Sequence, residues 1–184
     1  MKHHSPPSVS ASTATATAPF DQKIILLGAS TGGIDALLQI ICHFSNSCPP
    51  TLIVQHTGNQ FAKSLVRLFD ASSNAKVVAA QDRMHLAAGR IYLSPGAHVH
   101  LCLSADPRYR IKLCPSAARM GHRPSVDALF ESAIPHASNV VAAILTGMGK
   151  DGARGLAGLR QAGARTFGQD QETSVIYGMP RAAL

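Results

Sequence analysis

The alternation of short apolar runs with amphipathic segments constrains the fold of this chain more than any other feature of its sequence. The runs at residues 24–28 (IILLG), 51–55 (TLIVQ) and 140–146 (VVAAILT) are shorter than an ordinary helix. Continuous apolar runs of this length are typical of strands that are buried on both faces of a sheet. Segments with the spacing of amphipathic helices follow them, so the sequence predicts a parallel sheet with helices on both faces.

The remaining segments complete a predicted α/β fold, a three-layer αβα sandwich with a mostly parallel, doubly wound sheet and an added β-hairpin. In the second helix, the spacing predicts that Phe61 and Leu68 point inward. Pro124 is expected to open the third helix, because proline is favoured at the first helical position, and Pro135 is expected to end it. The predicted helices are 33–43, 60–71, 124–134 and 152–162, the further strands are 76–80, 90–94 and 164–168, and 98–103 pairs with 109–114 in the hairpin.

The first 22 residues differ in composition from the rest of the chain. Residues 1–22 are rich in Ser, Thr, Ala and Pro, which predicts a disordered tail or linker, and residues 23–184 are expected to form one globular domain. No apolar run approaches the ~20 residues that span a bilayer, and none resembles a secretory signal. The four cysteines form no C-x-x-C pair. We therefore expect a cytoplasmic, monomeric protein that does not insert into a membrane.

The charge balance gives a first indication of the partner. The chain carries 17 Lys and Arg against 10 Asp and Glu, a formal net charge of +7, which suits an acidic partner. The basic residues are spread along the chain, and aromatic residues make up only 5% of it, so little is available to stack on bases. An acidic protein surface is therefore a better candidate than a nucleic acid.

The loop after the first apolar run contains the pattern G-x-S-x-G, with Ser30 at its centre. A serine between a buried strand and an amphipathic helix is typical of a nucleophile elbow, where the helix N-terminus can also stabilise an oxyanion. The motif alone is equally compatible with a glycine-rich turn that binds phosphate. The chain contains no Walker loop, and this loop lacks the dinucleotide pattern G-x-G-x-x-G because residue 30 is serine, which makes a nucleotide role less favoured.

Two other strand ends carry groups that could act with Ser30. His56 follows the strand at 51–55 and could be a general base, and Asp151 lies after the third apolar run. Asp151 is interpretable as an ordinary helix N-cap or as the acid that orients the histidine. The rival acids, each with an ordinary surface or helix interpretation, are Asp35, Asp82 and Asp127.

Metal and cofactor sites are not indicated by the sequence. His98 and His100 alternate along a predicted strand and could share a metal ion, but two surface histidines are the favoured interpretation. The pattern His-Glu-x-x-His does not occur. We expect neither a metal nor a cofactor.

Several long motifs, in the same order along the chain, resemble the catalytic domain of the CheB family of chemotaxis methylesterases. The resemblance covers almost all of residues 23–184. It rests on GASTGG at 28–33, IVQH at 53–56, GRIYLSPG at 89–96, HRPSVDALF at 122–130, ILTGMGKDGA at 144–153, LRQAGA at 159–164 and YGMPRAAL at 177–184.

The resemblance implies a serine hydrolase that removes methyl esters from glutamate side chains of chemotaxis receptors, and members of the family often also deamidate glutamine there. It implies Ser30 as nucleophile, His56 as general base and Asp151 as orienting acid, with an acyl-enzyme intermediate and no cofactor. Thr31 and Met148 match positions that line the oxyanion or substrate region of the family's active site. The implied partner is the acidic helical segment of a methyl-accepting receptor, which agrees with the positive charge of the chain.

The chain also departs from the family's pattern. A receiver domain usually precedes the catalytic domain, whereas here only the tail does, and Thr57 stands where the family usually has methionine after the catalytic histidine. The chain ends at Leu184, just as a helix begins after Pro180, so the resemblance implies a catalytic domain that is truncated at its C-terminus. The alternatives are a receptor-docking domain of the same fold without turnover and, less favoured, a nucleotide-binding α/β domain.

Overall fold

The computed structural model of the protein describes residues 23–58 and 61–184, so the tail predicted at residues 1–22 lies outside the described residues. None of the helices within these ranges combines the length and the apolar composition that a membrane crossing requires. The strands are β1 (Ile24–Ala29), β2 (Thr51–Gln55), β3 (Lys76–Ala79), β4 (Arg90–Leu93), β5 (His100–Leu103), β6 (Ile111–Cys114), β7 (Val140–Ile144) and β8 (Arg165–Gly168), and the helices are α1 (Gly33–Ile41), α2 (Ala62–Ala71), α3 (Val126–Ser132), α4 (Ala153–Gln161) and α5 (Met179–Ala182).

Six of the strands form one parallel sheet in the order β3-β4-β2-β1-β7-β8, and β5 and β6 pair as a separate antiparallel hairpin. The chain builds the sheet outward from β1, first through β2 to one edge and later through β7 to the other. This doubly wound order confirms the predicted fold class. It also creates a switch point around β1, where ligands of such sheets bind.

Both faces of the sheet are covered, which explains why its central strands are continuous apolar runs. On one face, Leu27 of β1 belongs to a core that includes Leu37 of α1 and Phe69 of α2. On the other face, Leu26 belongs to a core that includes Leu129 of α3 and residues of the hairpin and α4. Because successive residues of a strand point to opposite faces, a strand between two cores has to be apolar at nearly every position.

Pro124, which precedes α3, does not have the position that the sequence predicts. Pro124 precedes the helix, and Ser125 is the N-cap, with its Oγ accepting a hydrogen bond from the Ala128 N–H at 3.2 Å. As expected, α3 ends just before Pro135, at Ser132, and Pro135 then lies near the start of a 3-10 helix at Ile134–Asn139. The prediction for Pro124 was wrong because serine competes successfully for the N-cap position through its side-chain oxygen.

The predicted inward orientation of Phe61 and Leu68 is also wrong. Phe61 is 56% exposed and Leu68 is 44% exposed, whereas Leu65 on the same helix is buried. The two exposed side chains line a surface groove of about 490 Å³, together with Ile34 of α1 and Thr57. Only a narrow stripe of α2 packs against the sheet, so the apolar face predicted from the sequence is wider than the face that is buried.

Candidate active site

The loops that follow β1, β2 and β7 meet at the carboxyl end of the sheet. Ser30 follows β1 and His56 follows β2, and the two strands pair so that Ala29 lies beside Gln55. The His56 N–H donates to the Ala29 carbonyl oxygen at 3.0 Å, and the Ser30 N–H donates to the Thr146 carbonyl oxygen at 3.0 Å. Ser30 and His56 therefore lie one residue beyond the paired ends of adjacent strands, beside the loop after β7.

Asp151, between β7 and α4, is a buried carboxylate whose two oxygens have four hydrogen-bonding partners. Its Oδ2 lies 2.9 Å from His56 Nε2 and accepts from the Val126 N–H at 2.7 Å. Its Oδ1 accepts from Ser125 Oγ at 2.7 Å and from the Asp127 N–H at 3.1 Å. Burial by itself raises the pKa of Asp151, but these hydrogen bonds outweigh it and lower the pKa to about 2. The carboxylate is therefore ionised at neutral pH.

The ionised carboxylate decides which nitrogen of His56 carries the proton. A carboxylate can only accept, so the ring nitrogen that faces it, Nε2, is the donor. In the neutral ring the basic lone pair is then on Nδ1. That atom is buried and has no hydrogen-bonding partner within residues 23–58 and 61–184. The site thus contains an oriented imidazole with one free, basic nitrogen.

His122 packs flat against one face of the His56 ring. The two ring centroids are 4.0 Å apart, and the planes differ by 6°. Burial lowers the pKa of His122, and the positive charge that His56 can carry lowers it further, while Asp151 acts in the opposite direction. The stack restricts the orientation of His56 and favours a neutral His122 beside it.

Ser30 lines a cleft of about 350 Å³ together with His56 and Thr31. The Ser30 Oγ donates to no described residue, so Ser30 and His56 share the cleft without a hydrogen bond between them. The neighbouring loop leaves room for the serine because residue 147 is glycine. A Cβ at Gly147 would lie 2.7 Å from the Ser30 Cβ, closer than such atoms can approach.

The turn from Ser30 into α1 leaves backbone donors at the edge of the cleft. Gly32 is the N-cap of α1 and has a φ of 77°, a conformation that glycine adopts without strain. The N–H groups of Thr31 and Gly32 donate to no residue in the described part of the chain. Amide groups at a helix N-terminus are suited to an oxygen that carries negative charge. The cleft therefore combines a hydroxyl, a basic nitrogen and free backbone donors.

A family model described as CheB methylesterase matches residues 25–184. The chain belongs to the CheB methylesterase family. It is 47% identical over 162 residues to Protein-glutamate methylesterase/protein-glutamine glutaminase 1 of Caulobacter vibrioides, and the alignment covers 87% of this chain and 47% of that relative. It is 44% identical over 187 residues to Protein-glutamate methylesterase/protein-glutamine glutaminase of Gluconobacter oxydans, covering 100% of this chain and 53% of the relative. The chain thus spans about half the length of the curated relatives it matches.

A solved structure is similar over nearly its whole length. The crystal structure of the Thermotoga maritima CheB methylesterase catalytic domain superimposes with a TM-score of 0.85 at 35% sequence identity. The match covers 89% of this chain and 88% of that chain. The family resemblance inferred from the motifs is therefore confirmed, and so is the fold class.

The CheB motifs suggest two supporting residues, Thr31 in the turn after Ser30 and Met148 in the loop after β7. Thr31 is exposed and lines the cleft, and its carbonyl oxygen accepts from Thr146 Oγ1 at 2.9 Å. Met148 follows Gly147 and is 66% exposed. The supporting roles of both residues stay predictions.

The interpretation of Asp151 as an N-cap of its own helix is wrong. Gly152, with a φ of 94°, occupies the N-cap position of α4, and no side chain of the described residues caps this helix. The carboxylate of Asp151 is turned instead towards the first turn of α3, where backbone N–H groups at Val126 and Asp127 need acceptors. Sequence position alone could not reveal which helix a carboxylate between two elements would cap.

The rival acids have other positions. Asp127 is not on the surface, because it is buried and its Oδ1 accepts from the Gly155 N–H of α4 at 2.7 Å. Burial raises the pKa of Asp127 in spite of this hydrogen bond. Asp82 is exposed and accepts from the Leu113 N–H at 2.9 Å, and Asp35 is exposed in the first turn of α1. Among these carboxylates, Asp151 is the one that contacts His56.

The expectation of two surface histidines in the hairpin region is wrong for His100. His98 is exposed, but His100 is fully buried, with Nε2 3.0 Å from the Ala117 carbonyl oxygen. Its Nδ1 accepts from the Ser125 N–H at 3.1 Å, so this histidine supports the loop before α3. Within residues 23–58 and 61–184, no three His, Cys, Asp or Glu side chains group in a way that could hold a metal ion.

Three residues of the site were not identified from the sequence. His122 stacks on His56, Ser125 donates to Asp151, and Gln55 contacts the backbone at both Ser30 and His56. Each belongs to a motif that carries the CheB resemblance, IVQH or HRPSVDALF, and that was the available signal. Their roles depend on contacts between distant segments, which a reading of single loops does not reveal.

Proposed function

We propose that this chain hydrolyses γ-glutamyl methyl esters of chemotaxis receptors by covalent serine catalysis, with Ser30 as nucleophile, His56 as general base and Asp151 as orienting acid. The observation that carries the proposal is the His56–Asp151 pair, whose remaining ring nitrogen is buried and unpaired in the cleft that Ser30 lines. An oriented base beside a serine hydroxyl is the arrangement that activates a weak nucleophile.

The reaction begins when Ser30 Oγ attacks the ester carbonyl carbon and His56 Nδ1 takes the hydroxyl proton. Asp151 stays ionised and stabilises the imidazolium through its contact with Nε2. The negative charge on the tetrahedral intermediate is stabilised by the free N–H groups of the turn into α1, and Thr31 supplies one of them. Met148, exposed in the loop after β7, contacts the substrate.

The second half of the reaction releases the products. His56 Nδ1 returns the proton to the leaving methoxide, which departs as methanol and leaves a glutamyl ester on Ser30. Water then attacks this ester with His56 as base, and glutamate and free Ser30 are formed. A glutamine side chain reacts by the same steps and releases ammonia, so one site serves both reactions. Neither reaction requires a cofactor.

The substrate assignment comes from the family and from charge. Both bacterial relatives are named for glutamate methylesterase and glutamine glutaminase activity. An acidic receptor segment also suits a chain with a formal net charge of +7. We assign the catalytic unit to residues 23–184.

A serine-reactive fluorophosphonate probe tests the proposal, together with methanol release from a methyl-esterified receptor fragment. We expect the probe to label Ser30, as identified by peptide mapping, and labelling to disappear in Ser30→Ala and to become slow in His56→Ala. Ser94→Ala is the matched control, because Ser94 is a buried serine after β4, the strand that pairs with β2. Binding of the receptor fragment without labelling or methanol release would instead support a docking domain without turnover.

A further inference from the structure

Gln55 is a buried amide that bridges the backbone of the two residues between which the proton must move. Its Nε2 donates to the Ser30 carbonyl oxygen at 2.8 Å and to the His56 carbonyl oxygen at 3.1 Å. Gln55 is the last residue of β2, next to His56, and it also lines the cleft. One side chain therefore connects the end of β1 with the end of β2 on the side where both strands enter the site.

The contacts of Gln55 fix the orientation of its amide group. Both partners are backbone carbonyl oxygens, which only accept hydrogen bonds, so the NH₂ group has to face them. The Ser30 carbonyl oxygen additionally accepts from the Gly33 N–H at 2.8 Å, which ties it to the first residue of α1. The backbone of the serine is thus held from two directions, by α1 and by β2.

The other end of the amide has no comparable contacts. Gln55 is buried, and its Oε1 has no hydrogen-bonding partner among the described residues. The oxygen lies against the Cα of Gly33, where an added Cβ would overlap with it. Buried acceptors are nearly always paired, because an unpaired one lowers stability. Stability alone therefore does not explain why an amide occupies this position.

We propose that Gln55 is a positioning residue that sets the distance between the Ser30 hydroxyl and His56 Nδ1. The proposal rests on the serine mechanism given above. Because proton transfer depends on a separation of about 3 Å between heavy atoms, a small shift of either strand end weakens it. The bridge acts on the carbonyl groups of the two residues themselves, so its loss changes the geometry of the pair more than the packing of the sheet.

Two variants separate the donor from the shape of the side chain. Gln55→Met keeps nearly the same length without any donor, and we expect kcat to fall about 10- to 100-fold, with KM within about threefold of the wild type. Gln55→Glu keeps the shape but places a carboxylate against two carbonyl oxygens at neutral pH. Protonation of that buried carboxyl restores a donor, so we expect its kcat relative to the wild type to rise as the pH is lowered from about 8 to 5.

The measurement is multiple-turnover methanol release over a range of substrate concentrations, which gives kcat and KM for folded wild type, both Gln55 variants and Ser94→Ala, each with a thermal melt. Ser94→Ala removes a different buried polar group at the same sheet edge and is expected to keep the wild-type kcat. A kcat for Gln55→Met within twofold of the wild type would overturn the proposal. So would a rate loss that matches the loss of folded protein, or a Glu-to-wild-type ratio that does not change with pH.

Histidine NMR distinguishes a failure of this proposal from a failure of the proposed function. Long-range ¹H–¹⁵N spectra identify the protonated nitrogen of His56 and report the surroundings of both ring nitrogens. Because Asp151 sets the Nε2–H form, we expect that form in both proteins, with a shifted Nδ1 signal in Gln55→Met. An identical His56 spectrum in the two proteins would refute the positioning role. A wild type without methanol release, or an active Ser30→Ala, would refute the serine mechanism, while the spectra still decide the role of Gln55.

Discussion

Asp151 and Ser30 follow neighbouring strands of the same sheet, yet the fold holds their side chains in different ways. The Asp151 carboxylate is 1% exposed, and both its oxygens are fully occupied by partners from α3 and from His56. The Ser30 hydroxyl lines an open cleft and hydrogen-bonds to no described residue, and free backbone donors lie beside it.

The difference reflects what each side has to do. In the proposed mechanism, the acid is oriented before the substrate arrives, which agrees with a carboxylate whose hydrogen-bonding sites are all satisfied. The serine side of the proposed mechanism binds an ester and a developing oxyanion, which agrees with donors that stay available for a ligand. Removal of a side chain whose hydrogen-bonding atoms all have partners in the fold is expected to lower both stability and rate. Removal of a side chain without such partners is expected to lower mainly the rate.

Ser30→Ala is expected to have the largest effect on rate and almost none on stability. Loss of the nucleophile should reduce methyl ester turnover on the order of 10⁶-fold, by analogy with other serine triads. The unfolding free energy should change by less than about 0.5 kcal/mol, because the hydroxyl hydrogen-bonds to none of the described residues. Single-turnover hydrolysis and denaturant unfolding measure the two quantities. Retention of more than a few per cent of the rate would contradict covalent catalysis at Ser30.

Asp151→Ala is expected to reduce both activity and stability. The rate should fall roughly 10⁴-fold because the base remains but loses its orientation. The unfolding free energy should fall by about 3 kcal/mol, because buried donors of Ser125, Val126 and Asp127 lose their acceptor. Asp35→Ala, at an exposed aspartate of α1, is the control and should change stability by less than about 1 kcal/mol. Equal stability losses in the two variants would contradict the claim that the hydrogen bonds of the Asp151 carboxylate stabilise the fold.

The low pKa of Asp151 predicts a specific acid sensitivity. An unfolded aspartate titrates near pH 4, and the folded pKa of about 2 means that the folded state favours the ionised form. The resulting stabilisation, about 2 kcal/mol, is complete above about pH 4 and is lost as the pH falls towards 2. Unfolding of wild type and Asp151→Asn between about pH 2 and 6 isolates this contribution. A stability difference that stays constant over that range would contradict it.

The stack of His122 on His56 is expected to have the smallest effect. His122→Ala removes the flat support of the base and should lower kcat about tenfold, in line with the energy of an aromatic pair. His122→Phe keeps a flat ring without a titratable nitrogen and should retain most of the rate. Steady-state hydrolysis distinguishes the two variants. Equal losses in both would indicate that a nitrogen of His122 matters and that stacking does not.

The sheet and the three main site residues could be predicted because both depend on local patterns. Buried parallel strands leave continuous apolar runs, and loops after such strands meet at the carboxyl end of the sheet, so Ser30, His56 and Asp151 were expected as neighbours. The structure brings His56 to Asp151 and to the cleft that Ser30 lines, and the catalytic roles of the three residues stay predictions. The family motifs then indicated the chemistry of the group.

The finer arrangement of the site could not be predicted because it depends on contacts between distant segments. The hydrogen bond from Ser125 to Asp151 joins residues that are 26 positions apart in the chain. The His122–His56 stack joins the loop before α3 to the loop after β2. The choice of helix that Asp151 caps depends on the packing of α3 beside α4, which a local capping pattern does not contain. Likewise, only the packed structure reveals that His100 is buried.

The carboxylates of Asp151 and Asp127 each accept hydrogen bonds from the helix that the other one precedes or belongs to. This reciprocal pairing of α3 and α4 has a consequence for how the protein folds. Asp151, just before α4, accepts from the first turn of α3, while Asp127 of α3 accepts from the Gly155 N–H of α4. On the ribosome, α3 emerges before its acceptor, which lies about two dozen residues later in the chain. The first turn of α3 therefore stays incomplete until α4 has been synthesised and has docked. The same docking step brings the Asp151 carboxylate to His56, so a nascent chain cannot orient this histidine before its two helices have joined.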